Sequence, residues 1–291
     1  MKTELPPEVM SKLREPSTVK FLFEVIFDWL FIVAAIALCI EFPAVYTIVP
    51  ALVIIGARQH ALNVMGHDGA HRMCCRNRLL NDFITNVFCF WPFGIGIHSY
   101  RLFHFNHHRY NGKKGDPELE HKFFAAPQFD VPTNKKRIFY YVFQDLFALN
   151  ISQLLVLIRL FKPAKLSDRL GPIIWWAIAG GLLYHYSLLW VLLLWYGAYF
   201  TTYWAVFRVR IWTEHVGTSD THRLSASWWQ RFLFVPHYTW CHYEHHHHPA
   251  IPCWNLPSLR KLISGTPIIS FKDLFNSFQN VSPHKSGIPK N

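Results

Sequence analysis

The stretch "HYEHHHHP", from His242 to Pro249, holds five histidines in seven positions. His242, His245 and His246 stand at i, i+3 and i+4, a spacing that puts them on one face of a helix. "HFNHHRY" repeats that spacing with His104, His107 and His108. "HDGAH" sets His67 and His71 at i and i+4, and His60 lies two turns earlier on the same stripe. "RIWTEHVG" adds Glu214 and His215. A helix can aim such side chains at one point, and imidazole is a common ligand for iron, zinc, copper and nickel. A single i, i+4 pair carries little weight, whereas several such elements in one chain point to a metal site. His98, His121, His185, His222 and His284 stand alone and read as structural or solvated.

Something must bring these elements together, and the composition says what kind of frame. Of 291 residues, 51% are hydrophobic, 17% aromatic and 16% charged. Soluble domains carry about 25% charge. Mean hydropathy is +0.12. The net charge of +11 would suit nucleic acid or anionic lipid, but no nucleic-acid module is visible, and such a role is excluded. All 29 Lys and Arg residues fall outside two apolar blocks, 21–57 and 171–207. Each block has the length of two membrane-spanning helices. The first breaks at Glu41-Phe42-Pro43 and the second near Tyr184-His185-Tyr186-Ser187. The expected fold is therefore all-α: a single integral membrane domain over 1–291, with four transmembrane helices in two hairpins. Residues 58–170 and 208–291 form a cytoplasmic helical cap carrying the histidines. Both tight connections lack Lys and Arg, so both termini are expected on the cytoplasmic side. The first apolar stretch reads as a span and not as a removed signal peptide.

A helix from Ala44 to His71 would run roughly 40 Å, cross the hydrocarbon and project His60, His67 and His71 beyond it. Residues 137–161 are apolar but carry Gln144, Asp145, Asn150, Ser152 and Gln153, so an interfacial helix or helix pair is expected there. A fifth span would put His215 across the membrane from His67. The same interfacial reading suits 79–97, with a break at Trp91-Pro92-Phe93-Gly94. Six cysteines show no C-x-x-C spacing and read as packing residues. The tail after Gly265 is mixed, and its last dozen residues are expected to be mobile.

From about Gly56 to Leu262 the chain resembles the membrane fatty-acid desaturase and hydroxylase superfamily. "HDGAH", "HFNHH" and "HYEHH" look like its three histidine boxes. "RYNGKKGDPEL" is similar to the family's continuation after the second box, and "EHHHHPAIPCWNLPSLRKL" to the third box of bacterial members. His247-His248 departs from the pattern, where apolar residues are usual. The resemblance implies a non-haem di-iron oxidoreductase using dioxygen and two electrons. It implies His67, His71, His104, His107, His108, His242, His245 and His246 as ligands of two Fe ions, with His215 as an extra ligand. Zinc could substitute for iron. His60, Asp68, Asp116, Glu214 and Glu244 are candidates to support the ligand rings. The carboxylates can fix ring tautomers, with a solvated charge as the equal alternative. The substrate would be a fatty-acyl or similar lipid chain in the membrane. Electrons would come from a separate donor such as ferredoxin or cytochrome b5 with a reductase. A hydroxylase or ketolase of a lipid, alkane or carotenoid remains the alternative. A metal transporter is the rival of another class, but His185 is the one histidine within the apolar blocks, whereas transport sites put their ligands inside the spans.

Overall fold

Pro43 ends the first long helix where the sequence places its break. Phe42, held extended by the following proline, closes the helix Thr18–Glu41, and Val45 opens the next one. The Thr47 hydroxyl staples the turn, donating to the carbonyls of Phe42 and Ala44. The structure is a computed structural model that describes residues 5–120, 134–149, 151, 161–218 and 220–278. It runs α1 (Pro7–Leu13), α2 (Thr18–Glu41), α3 (Val45–Ala70), α4 (Arg78–Thr85), α5 (Ile97–Tyr110), α6 (Pro117–Glu120) and α7 (Lys135–Leu146). Then follow α8 (Leu166–His185), α9 (Val191–Ala198), α10 (Trp204–Glu214), α11 (Trp228–Leu233), α12 (His242–His247), α13 (Leu256–Leu262) and α14 (Phe271–Ser277). The helical expectation holds, with one small addition. Leu224-Ser225 and Ile269-Ser270 pair as a two-residue parallel bridge.

Among the described residues, two helical stretches are long and apolar enough to cross a membrane: Pro7–Glu41 and Val45–Ala70. The second apolar block also folds as two helical runs, α8 and then α9 to α10. These carry more polar ends, with Asp168 and Arg169 at one and Arg208, Arg210 and Glu214 at the other. One side of α2 is buried through Phe21, Val25, Ile32 and Cys39, while Phe23, Leu30 and Val33 stand exposed. An apolar face of that extent in water would be a liability, and lipid would cover it.

A π-helical turn, Tyr199–Tyr203, joins α9 to α10 and packs on α3. Its extra residue per turn re-aims the side chains that follow. Contact there is close. A Cβ added at Gly56 would lie 2.7 Å from both the Tyr203 backbone nitrogen and the Thr202 Cβ. A second π turn, Asn86–Phe90, precedes the expected break at Trp91–Phe93, and Gly94 at φ 73° completes that break.

Of the expected interfacial segment at 137–161, α7 is present and residues 150 and 152–160 lie outside the described residues. The tail after Gly265 is more ordered than its mixed composition indicates. Phe271, Leu274 and Phe278 are buried against Trp212 and Val235. The last dozen residues, expected to be mobile, lie outside the described part, as do His121 and His284.

A buried charge network holds the chain entering the third box against α2. Asp28 pairs with Arg58 at 3.0 Å and with His237 Nε2 at 2.7 Å, and His237 Nδ1 meets Glu24 at 3.0 Å. Burial alone would lower the His237 pKa, but the two carboxylates outweigh it and raise it to about 9. Unfolded histidine titrates near 6.5. The cation therefore stabilises the fold fully below about pH 6.5, and that contribution is lost as pH rises through about 9. The expected result is a melting temperature that falls between pH 7 and pH 10. His237→Asn, which tolerates the positive φ of 47° at this position, should flatten that slope. Parallel slopes in the two proteins would reject the assignment.

Candidate metal centre

Each histidine element is held from outside by polar contacts. Asn81 accepts from the Cys74 N–H and donates to the Gly69 carbonyl, tying the end of α3 to α4. Arg101 on α5 donates to the Ala70 carbonyl at 2.9 Å and grips Asp82 with two further bonds. Asp168 on α8 accepts from the Ser99 amide and hydroxyl near the start of α5. These contacts fix where His67, His71 and the α5 histidines stand relative to one another.

The rings form two groups, each able to hold a metal ion. His67, His71, His104, His108 and His245 have one nitrogen apiece within 4.8 Å of one another. His107, His215 and His246 do the same. His242 joins the second group, its Nε2 lying 2.9 Å from that of His215. All nine histidines singled out in the sequence thus come together. They do not aim at one point per helix, however. The i and i+4 rings stay together, as in His67/His71, His104/His108 and His242/His246. The i+3 rings, His107 on α5 and His245 on α12, cross to the other group. Successive helical positions are rotated by about 100°, so an i+3 ring leans to the opposite side of i from i+4. Two facing helices therefore build two sites by exchanging one ring each.

The donor atoms fit metal binding. Nε2 atoms of His71 and His104 are 2.9 Å apart, those of His104 and His108 2.9 Å, and those of His108 and His245 3.1 Å. With imidazole nitrogens about 2.1 Å from an ion, adjacent octahedral ligands are about 3.0 Å apart and tetrahedral ones about 3.4 Å. The Nε2 atoms of His67, His107 and His246 are buried without a hydrogen-bond partner among the described residues. Burial, reinforced by the neighbouring imidazoles, lowers the pKa of His71, His104, His242, His245 and His246 well below the usual value. It brings His108 to about 4. These six rings are therefore held neutral at physiological pH, the form that binds metal.

The supporting groups divide. Asp116 lies 2.9 Å from His107 Nδ1, and the Asp220 carbonyl 3.2 Å from His215 Nδ1. Glu214 is 3.4 Å from His242 Nδ1. Asp68 sits 3.9 Å from His67 Nδ1 and instead accepts from the Cys253 amide at 2.9 Å, fastening the turn after the third box to α3. Glu244 turns away from the rings to Arg223 and Arg260, in a clamp on α12 whose carboxylate is fully buried. His60 is buried in neither group. His247 is part exposed, with Nδ1 on the Tyr243 carbonyl. Arg223, Arg260 and His237 carry no local signal in the sequence, because their partners lie 16 to 213 residues away. Glu118 carries none either, although its carboxylate comes 4.0 Å from His107 Nε2.

A cavity of about 280 Å³ opens beside both groups. His67, His104, His107 and His242 form one side, and Phe93, Phe103, Tyr199, Tyr203 and Phe207 contribute an aromatic wall. Fold and site together define a helical, membrane-type protein with clustered imidazoles able to bind metal beside an apolar pocket. The chain belongs to the fatty acid desaturase family, whose profile matches residues 43–267. It is 28% identical over 246 residues to the dihydrorhizobitoxine desaturase of Bradyrhizobium elkanii, covering 75% of this chain and 68% of that one. It is 27% identical over 110 residues to an sn-1 oleoyl-lipid 12-desaturase from a Picosynechococcus strain, covering 37% and 31% respectively. The protein is thus an oxidoreductase of the fatty-acid desaturase type.

Proposed function

We propose that this protein is a membrane-bound di-iron desaturase that uses dioxygen and two electrons to introduce a double bond into a fatty-acyl or similar lipid chain. The observation that carries this reading is the pair of imidazole groups facing one apolar cavity. His67, His71, His104, His108 and His245 would hold one iron, and His107, His215, His242 and His246 the other. Iron bound there supplies the oxidising power that an unactivated C–H bond requires. The reaction balances when the chain loses two hydrogens, dioxygen takes up two electrons and two protons, and two waters leave. The electrons require a separate donor such as ferredoxin or cytochrome b5 with its reductase.

The protein's own groups do the positioning. Asp116, the Asp220 carbonyl and Glu214 orient His107, His215 and His242 and fix which ring nitrogen faces inward. The aromatic wall excludes water and presents the chain to the rings. In this reading α2, α3, α8 and the α9–α10 run cross the membrane as two hairpins. The histidine groups and both termini then lie on the cytoplasmic side, as the Lys and Arg distribution supports.

Expression in a host supplied with iron and a reductase system, followed by mass spectrometry of total lipids, tests the proposal. The expected product is lighter than its precursor by two hydrogens and disappears in His104→Ala. Gain of one oxygen instead would move the assignment to hydroxylation. An unchanged lipid profile would count against a lipid substrate.

A further inference from the structure

His60 is an unusual wall for a pocket that takes only hydrocarbon. It lies on α3 inside the helix bundle, with no exposed surface. Neither ring nitrogen has a hydrogen-bond partner among the described residues. The ring belongs to neither histidine group yet lines the same cavity as His67 and His104. Its neighbours are aromatic, with Tyr203 and Phe207 centred 6.0 and 6.2 Å away.

Other polar groups of that wall are partly engaged, and the hydroxyls of Tyr100, Tyr199 and Tyr203 also line it. Asn63 donates to the Gln59 carbonyl, and Arg210 donates through Nε to Glu214, which in turn faces His242. Of the cavity-lining residues outside the two ring groups, His60 is the one whose polar side-chain atoms are buried with no hydrogen-bond partner among the described residues. A methylene chain drawn past it would leave both nitrogens unpaired in a dry site, which is unfavourable, whereas an oxygen or nitrogen on the substrate would pair with one of them. A site built to hydrogen-bond a substrate group discriminates strongly against the analogue lacking it.

We infer that His60 is a specificity-determining residue whose imidazole hydrogen-bonds a polar function, an oxygen or nitrogen, carried on the chain being oxidised. The inference rests on the desaturase reading and narrows its substrate to a functionalised chain. Spacing sets where that function sits. Seven residues of α3 separate His60 from His67, a rise of about 10 Å. At about 1.2 Å per bond of extended chain, the polar atom lies within roughly eight bonds of the oxidised carbons. A cavity of about 280 Å³ also favours a short occupant, since pockets for drug-sized ligands run from about 300 to 1,000 Å³.

The test is binding without turnover. Iron-loaded protein in lipid nanodiscs, with no reductant, is titrated with radiolabelled decane and with each positional isomer of decanol, and empty discs correct for partition. In the wild type at least one isomer is expected to bind about tenfold more tightly than decane, the worth of one such hydrogen bond. His60→Leu should abolish that preference with metal content unchanged. His60→Gln, which keeps a donor and an acceptor, should restore part of it. Equal binding of decane and every isomer by the wild type would overturn the inference, as would a preference that survives His60→Leu. Loss of metal in His60→Leu would overturn it too, by assigning the ring to the metal centre. Because the readout needs no oxidation, failure of the desaturase reading, seen as absent desaturation in the wild type, is recorded separately.

Discussion

Protein purified from cells supplied with iron is expected to carry close to two metal atoms per chain. Nine clustered imidazoles exceed what one tetrahedral or octahedral ion can use. Their division into two groups gives the number a structural meaning. The first group offers five rings, and the second three within 4.8 Å with His242 beside them. Metal analysis of active protein checks it, and a reproducible value of one would defeat the dimetal assignment. Zinc in an overexpressed preparation would not count against iron, because zinc binds such ligands at least as tightly. Substituting His107 by alanine should be informative about the partition. The ring belongs to the smaller group, so content should fall towards one metal while the five-ring group keeps its own.

The histidines were legible because metal ligands are brought together by local spacing that a helix converts directly into geometry. The helix break at Pro43 was legible for the same reason, since proline acts on its immediate neighbour. The division of each box between two metals was less visible. Spacing says that His104, His107 and His108 lie near one another, but only the facing helix decides which ring turns to which partner. The roles of the carboxylates depended on distant chain. Asp116 sits nine residues from His107 and meets it, whereas Glu244, adjacent to His245, is drawn off by Arg223 and Arg260. A carboxylate beside a ligand in sequence points wherever the nearest buried cation lies, and that cation is not readable from spacing. The π turn at Tyr199–Tyr203 likewise has no local signature, yet it sets two of the aromatic rings lining the cavity.

Alanine substitution along "HYEHHHHP" should give a graded series and not a uniform loss. His245→Ala removes a ring from the five-membered group, and His242→Ala and His246→Ala remove rings from the other. Each is expected to bring turnover below detection and to lower metal content. His247→Ala should cost far less, because its ring is part exposed and bonds the Tyr243 carbonyl. His248→Ala should keep most of the metal and the activity, since His248 ends α12 one residue before Pro249 and lies outside both groups. Asp116→Asn supplies an intermediate mark. It leaves every ring in place but weakens the hold on His107 Nδ1, a kind of loss that typically costs 10- to 100-fold in affinity or activity. Turnover and metal content measured side by side separate these cases. A ligand ring costs both together, and an orienting carboxylate lowers turnover further than metal content. If all five alanine variants kept equal activity, the stretch would be only a polar surface run. The convergence of His242, His245 and His246 on the two ring groups would then have no chemical role.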